Sequence, residues 1–161
     1  MKTSIIYNSY TGNTRGVAER IQAACGGDLV EVKSKAYSSR LTAYTIGCYR
    51  ARKGICDPIE PSTIDVSSAD LIVIGTPVWA GRATPAINGA VAALSGCQGK
   101  PAVIFATAGG KDPESLPILK KALEAKGVTV KGEFMFDKTT KNDPNQINAM
   151  IAAVRAAGTP L

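Results

Sequence analysis

The chain has no histidine among its 161 residues. That removes the commonest general base and every Ser-His or Cys-His nucleophile, so chemistry must come from a cofactor, a carboxylate or a lysine. Its four cysteines, Cys25, Cys48, Cys56 and Cys97, are far apart and form no C-x-x-C pair. With no histidine beside them, this spacing argues against zinc and iron–sulfur sites, and reduced core thiols are expected. Neither G-x-x-x-x-G-K-S/T nor G-x-G-x-x-G occurs, which argues against a metal-held triphosphate and a dinucleotide fingerprint. The uncharged apolar runs are strand-length, too short to span a membrane. Met1-Lys2-Thr3 leads into a strand with no small-residue cleavage site, so the cytoplasm is the expected compartment. Residues 1–161 have the length of one domain, and no repeat or low-complexity segment interrupts them.

What is present centres on Ser4 to Ala18. A buried strand, Ser4 to Tyr7, runs into a hydroxyl- and amide-rich loop, Asn8 to Thr14, that opens a helix, about Gly12 to Cys25, whose first apolar residues are Val17 and Ala18. A helix start carries backbone N–H groups without intrahelical partners and a partial positive charge, so small residues and hydroxyls there make an anion cradle. Ser9, Thr11, Asn13 and Thr14 supply donors, and Gly12 lets the backbone come close. No lysine belongs to this loop, so a monophosphate held by neutral groups fits it best. A hydroxyl-rich helix cap in an ordinary α/β protein is the plainer alternative.

Ser9-Tyr10-Thr11-Gly12-Asn13-Thr14 resembles the Ser/Thr-x-Thr-Gly-x-Thr loop with which flavodoxins bind the phosphate of FMN, in the same place after the first strand. The resemblance covers nearly the whole chain. It implies an α/β flavodoxin-like fold, a doubly wound five-stranded parallel sheet of order 2-1-3-4-5 with helices on both faces and FMN at the switch point. It further implies that Thr76, Pro77, Val78, Trp79, Ala80 and Gly81 after the third strand, and Thr107, Ala108, Gly109 and Gly110 after the fourth, complete the site begun by Ser9 to Thr14. Trp79 would stack on the isoalloxazine ring, or else pack on the neighbouring helix. A peptide flip near flavin N5 belongs to the family; Gly81 permits it, whereas Ala80 would resist a positive φ. The tyrosine that often follows the fourth strand is missing, which leaves the outer flavin face open. Lys111 either points in toward flavin N1 or out into solvent.

Periodicity supplies the remaining elements. Val17, Ala18, Ile21, Ala24 and Cys25 form a helical stripe ending at Gly26-Gly27, and Asp28 to Val32 reads as a short edge strand. Ala69 to Gly75 and Ala102 to Ala106 read as strands buried on both faces. Thr84-Pro85 caps a third helix to Leu94, Asp112-Pro113-Glu114 starts a fourth, Val128 to Phe136 is the last strand, and Asp143-Pro144 caps the last helix.

Net charge is +6 with pI near 9.2. Lys33 to Cys56 carries Lys33, Lys35, Arg40, Arg50, Arg52 and Lys53 and no acid. Within it Leu41, Tyr44, Thr45, Cys48 and Tyr49 have the spacing of a core-facing helix stripe. This segment is a solvated rim or a docking patch for an acidic redox partner or a dinucleotide phosphate; with its tyrosines on the core face, nucleic acid fits poorly. Three readings follow. The first is an FMN-binding electron-transfer protein with no catalytic side chain of its own; the alternative is an FMN-dependent NAD(P)H:quinone or acceptor oxidoreductase. A fold that has lost its flavin is the third.

Overall fold

The computed structural model describes residues 1–158; Thr159, Pro160 and Leu161, the tail of the expected 1–161 domain, lie outside the described residues. Five parallel strands make the central sheet: β1 (Thr3–Tyr7), β2 (Asp28–Glu31), β3 (Leu71–Trp79), β4 (Pro101–Thr107) and β5 (Thr129–Phe136). Their spatial order is β5-β4-β3-β1-β2, the expected 2-1-3-4-5, with β2 at an edge. The helices are α1 (Asn13–Cys25), α2 (Arg40–Arg52), α3 (Pro85–Ala93), α4 (Ser115–Glu124) and α5 (Pro144–Ala157).

Alternation along the strands builds two cores. Ile6, Ile72, Ile74, Ala102 and Ile104 face one way, against Ile87, Ala90 and Val91 of α3 and Leu116, Leu119 and Leu123 of α4. Ile5, Leu71, Val73, Val103 and Phe105 face the other, against Val17, Ala18 and Ile21 of α1 and Ile147, Met150 and Val154 of α5. A strand covered on both faces needs apolar residues at every position, which is why β3 and β4 read as continuous apolar runs. Each strand's neighbours also fix residue size. Gly75 pairs with Phe105, and a Cβ at Gly75 would stand 2.2 Å from Phe105 Cζ.

The caps follow the local chemistry. The Thr84 side chain accepts from the Ile87 N–H, with Pro85 in the first turn, and Asp143 accepts from the Asn145 N–H, with Pro144 behind it. Caps of this kind contribute about 1 kcal/mol each. Asp112-Pro113-Glu114 does not begin α4 itself: Asp112 Oδ1 accepts from the Glu114 N–H in a turn, and the helix starts at Ser115.

Helix α2 departs from the expected orientation. Leu41, Tyr44 and Tyr49 are exposed, and the buried residues are Ala43, Gly47 and Ala51, spaced i, i+4, i+8. The reason is the indole of Trp79, which lies so close that a Cβ on Gly47 would stand 2.5 Å from its ring. Only a strip of small residues lets the helix approach, so the large apolar residues of α2 are turned away.

Gly75→Ala is expected to lower stability by about 1–3 kcal/mol through overpacking on Phe105. Urea unfolding should show a lower midpoint with unchanged m; an unchanged midpoint would mean that Phe105 moves aside freely.

Candidate functional site

Three connections leave the same edge of the sheet, after β1, β3 and β4. The first is tied down by Asn8, whose Nδ2 donates to the Val32 carbonyl (2.8 Å) and whose Oδ1 accepts from Thr84 Oγ1 (3.0 Å). Ser9 Oγ accepts from the N–H groups of Gly12 and Arg15, both at 3.2 Å, and Gly12 sits at φ 93°, where glycine is favoured. Asn13 Nδ2 donates to Thr11 Oγ1 (3.1 Å), and Thr14 Oγ1 meets Thr107 Oγ1 at 2.8 Å, binding the first connection to the end of β4. Among the described residues the backbone N–H groups of Asn13 and Thr14 meet no protein acceptor, as at a helix start open to an anion.

The second connection is not the loop expected from Thr76 onward. Thr76 to Trp79 continue β3, and Val78 and Trp79 pair antiparallel with Ala83 and Arg82, so that only Ala80 and Gly81 form the tip. Both have positive φ, 50° and 74°, the pattern of a two-residue hairpin matched to strand twist. Ala80 therefore adopts the conformation it was expected to resist, at a cost of about 1 kcal/mol or more. The paired arm holds it there: Arg82 donates to the Gly81 carbonyl (2.8 Å) and pairs with Glu114.

A cleft of about 440 Å³ lies between these connections. Of the residues expected at a site, Tyr10, Thr11, Asn13 and Thr14, then Pro77, Val78, Trp79 and Ala80, then Thr107, Ala108 and Gly109 line it together. Ser9, Gly12, Thr76, Gly81 and Gly110 do not. Ser9 turns its hydroxyl oxygen onto the loop backbone, and Gly12 caps α1. Thr76 is fully buried and accepts from the Thr84 N–H (3.1 Å), while Gly81 faces Arg52 and Glu114. Gly110, like Lys111, is exposed beyond the cleft.

Trp79 is 8% exposed and packs on α2 at Gly47 while also lining the cleft. Tyr44 stacks with it (centroids 6.3 Å, 22°), and Tyr10 meets it edge-on at 5.3 Å. Packing on the neighbouring helix is thus the observed arrangement. Tyr44 and Cys48, assigned to a core face from their spacing, line the cleft instead. Burial pushes the Cys48 thiol up from its ordinary value, which keeps it protonated.

Sequence reasoning missed a fourth contributor, the turn from β5 into α5, which brings Asp137, Lys138 and Lys141 to the cleft. The signal was available, since every strand of a parallel sheet ends at the same edge. The basic segment, by contrast, is largely paired within the molecule: Lys35 with Glu60 (2.9 Å), Arg50 with Asp57 (2.7 Å), and Arg52 with Glu114 (3.8 Å). Among the described residues no group of histidine, cysteine and acidic side chains could hold a metal, and no helix is long and apolar enough to cross a membrane.

Residues 1–141 match a family model described as NADPH-dependent FMN reductase. Among solved structures, the chain is similar to a candidate flavoprotein from Bacteroides eggerthii, at 24% identity over 99% of both chains with TM-score 0.73. It is similar to a flavoprotein in complex with FMN from Lactobacillus acidophilus, at 24% identity over 86% of this chain and 94% of that one with TM-score 0.66. The two-electron reduced flavodoxin of Megasphaera elsdenii is 21% identical over 96% and 99%, with TM-score 0.64. These likenesses establish the fold. No curated protein matches the chain.

Hydrogen bonds from Thr139 and Thr140 hold the Asp137 carboxyl down at about 2, below the usual carboxylate range near 3.9. Because the folded value is the lower one, this carboxylate's contribution to the turn is complete above about pH 4 and is lost as pH falls through about 2. Amide exchange at Thr139 and Thr140 should therefore accelerate at low pH beyond its intrinsic trend, and Asp137→Asn should show the acceleration already at neutral pH.

Proposed function

The chain belongs to the family of NADPH-dependent FMN reductases, and from that premise we propose that its cleft holds FMN between the first, third and fourth strand ends and that the flavin is reduced by NADPH. The protein is an FMN-binding, flavodoxin-like redox protein; the position of the cofactor and the source of its electrons are the proposal. One observation carries it: the hydroxyl- and amide-bearing residues Thr11, Asn13 and Thr14, with unpartnered N–H groups behind them, line the same cleft as the small residues Ala80, Ala108 and Gly109. The first set suits a phosphate, and the second lets the backbone approach the edge of a flat heterocycle closely, although the Ala108 N–H itself is taken by the Phe136 carbonyl (2.9 Å).

When bound, FMN supplies a centre that takes up a hydride and gives its electrons on singly or in pairs. The chain's own residues bind and orient. Asp137 is the one carboxylate lining the cleft among the described residues, and its lowered pKa makes it a poor base. With no histidine in the chain, no side chain here is assigned proton transfer. Trp79 and Tyr44 wall the cleft on the α2 side.

A second reading, a carrier reduced by a partner protein, is favoured by the exposed face of α2. Leu41, Tyr44, Ile46 and Tyr49 are 74%, 55%, 51% and 61% exposed beside the cleft, and Arg40 and Lys53 are close by in sequence. Such a face suits an acidic partner with an apolar centre.

Adding NADPH to the FMN-loaded protein without oxygen is expected to bleach the visible flavin absorption within a turnover time. Absorption that persists until dithionite is added would favour the carrier. Thr11→Glu, at an exposed position, should abolish FMN uptake with an unchanged far-ultraviolet circular dichroism spectrum, and undiminished uptake would remove the phosphate from this loop.

A further inference from the structure

The turn from Asp137 to Asn142 is organised around one carboxylate. Asp137 Oδ1 accepts from the Thr139 N–H (2.8 Å) and Oγ1 (2.6 Å) and from the Thr140 N–H and Oγ1 (both 3.0 Å). Its own N–H donates to Thr140 Oγ1 (2.8 Å), and the Lys141 N–H donates to the Asp137 carbonyl (2.9 Å). Arg20 of α1 closes the structure from outside, donating to the Lys141 carbonyl (3.1 Å) and to Asn142 Oδ1 (3.3 Å). A turn bonded at so many points fixes where its side chains leave the backbone, and it is fastened to the helix that opens at Asn13.

Two cations leave this turn toward the cleft. Lys141 Nζ donates to Asn13 Oδ1 at 3.4 Å, and Asn13 in turn donates to Thr11 Oγ1, so this ammonium stands at the hydroxyl-rich end. Lys138 approaches the opposite wall, its Cε 3.9 Å from the position a Cβ would take on Gly109. Neither lysine forms an ion pair among the described residues, whereas Lys33, Lys35, Arg50 and Arg52 all do. Asp137 adds a carboxylate to the same lining, but its Oδ1 is saturated by the turn itself. An ammonium without a counter-ion, held beside free backbone N–H groups and hydroxyls, is half of a charge-assisted contact with an anion.

We propose that Lys141 is the counter-charge of the FMN phosphate, closing the cradle of Thr11, Asn13 and Thr14 beside the start of α1, with Lys138 adding positive potential from the Gly109 wall. This rests on the placement of FMN given above. It revises the expectation of a neutral cradle: the loop is neutral, but the site is not. A dianionic phosphate gains from this arrangement and a bare ribityl hydroxyl does not, so Lys141 separates FMN from riboflavin.

The test is a fluorescence titration of FMN and of riboflavin into the wild type and into Lys141→Ala, Lys141→Arg and Lys138→Ala, at low and high potassium chloride. Loss of one charge-assisted contact is expected to weaken FMN binding about ten- to a hundredfold in Lys141→Ala and leave riboflavin binding unchanged. Lys141→Arg should retain most of the affinity, Lys138→Ala should lose less than Lys141→Ala, and the salt dependence seen with the wild type should flatten in Lys141→Ala. FMN affinity unaffected by Lys141→Ala, or an equal loss for FMN and riboflavin, would overturn the role of the lysine while leaving FMN in the cleft. A wild type that binds riboflavin as tightly as FMN would overturn the phosphate cradle itself, and the lysine's role with it.

Discussion

Ile5 stands beside Val73, and Val73 beside Val103, in a ladder where all three strands run the same way. Parallel pairing sends every C-terminal strand end to one edge, and connections that would otherwise be far apart meet there. The rest of the site depends on that ladder. The 2.8 Å contact of Thr14 with Thr107 exists only because β1 and β4 flank β3 in register, and so does the chain from Asn8 through Thr84 to Thr76. These contacts lock the loops to one another. A cleft of about 440 Å³ is therefore defined by strand geometry before any ligand enters it.

Charge within the cleft is distributed unevenly. The loops after β1, β3 and β4 contribute hydroxyls, amides and bare peptide groups to its lining, and ionisable groups enter chiefly from the turn after β5. Separating shape from charge in this way has a physical advantage. A neutral loop can lie tightly against a ligand without desolvating an ion, while an ammonium reaching in from a braced turn stays partly hydrated and adds attraction without that penalty.

Much of this was legible in the sequence because it is local. The alternation of strands and helices, the buried runs of β3 and β4, the Thr84-Pro85 and Asp143-Pro144 caps and the hydroxyl-rich loop all depend on neighbours within a few residues. What stayed hidden depends on partners far along the chain. The stripe of Leu41, Tyr44 and Tyr49 has a genuine helical period, yet the face that is buried belongs to Ala43, Gly47 and Ala51, because Trp79, more than thirty positions away, leaves room for nothing larger. The positive φ of Ala80 depends on the antiparallel arm that follows it, and Lys141 reaches Asn13 across 128 positions. Spacing rules register periodicity but not the size of the surface a helix will meet.

Helix α2 consequently answers to two different packing constraints. Its inner strip is locked to a single ring: Gly47 cannot enlarge while Trp79 is present, so the two positions can change only as a pair. Its outer strip touches little, and Leu41, Ile46 and Tyr49 can be exchanged at small cost to folding. Across descendants of this sequence, the inner strip should drift slowly and the outer one fast. The same helix can then keep one wall of the cleft constant while its exposed surface is refitted from lineage to lineage.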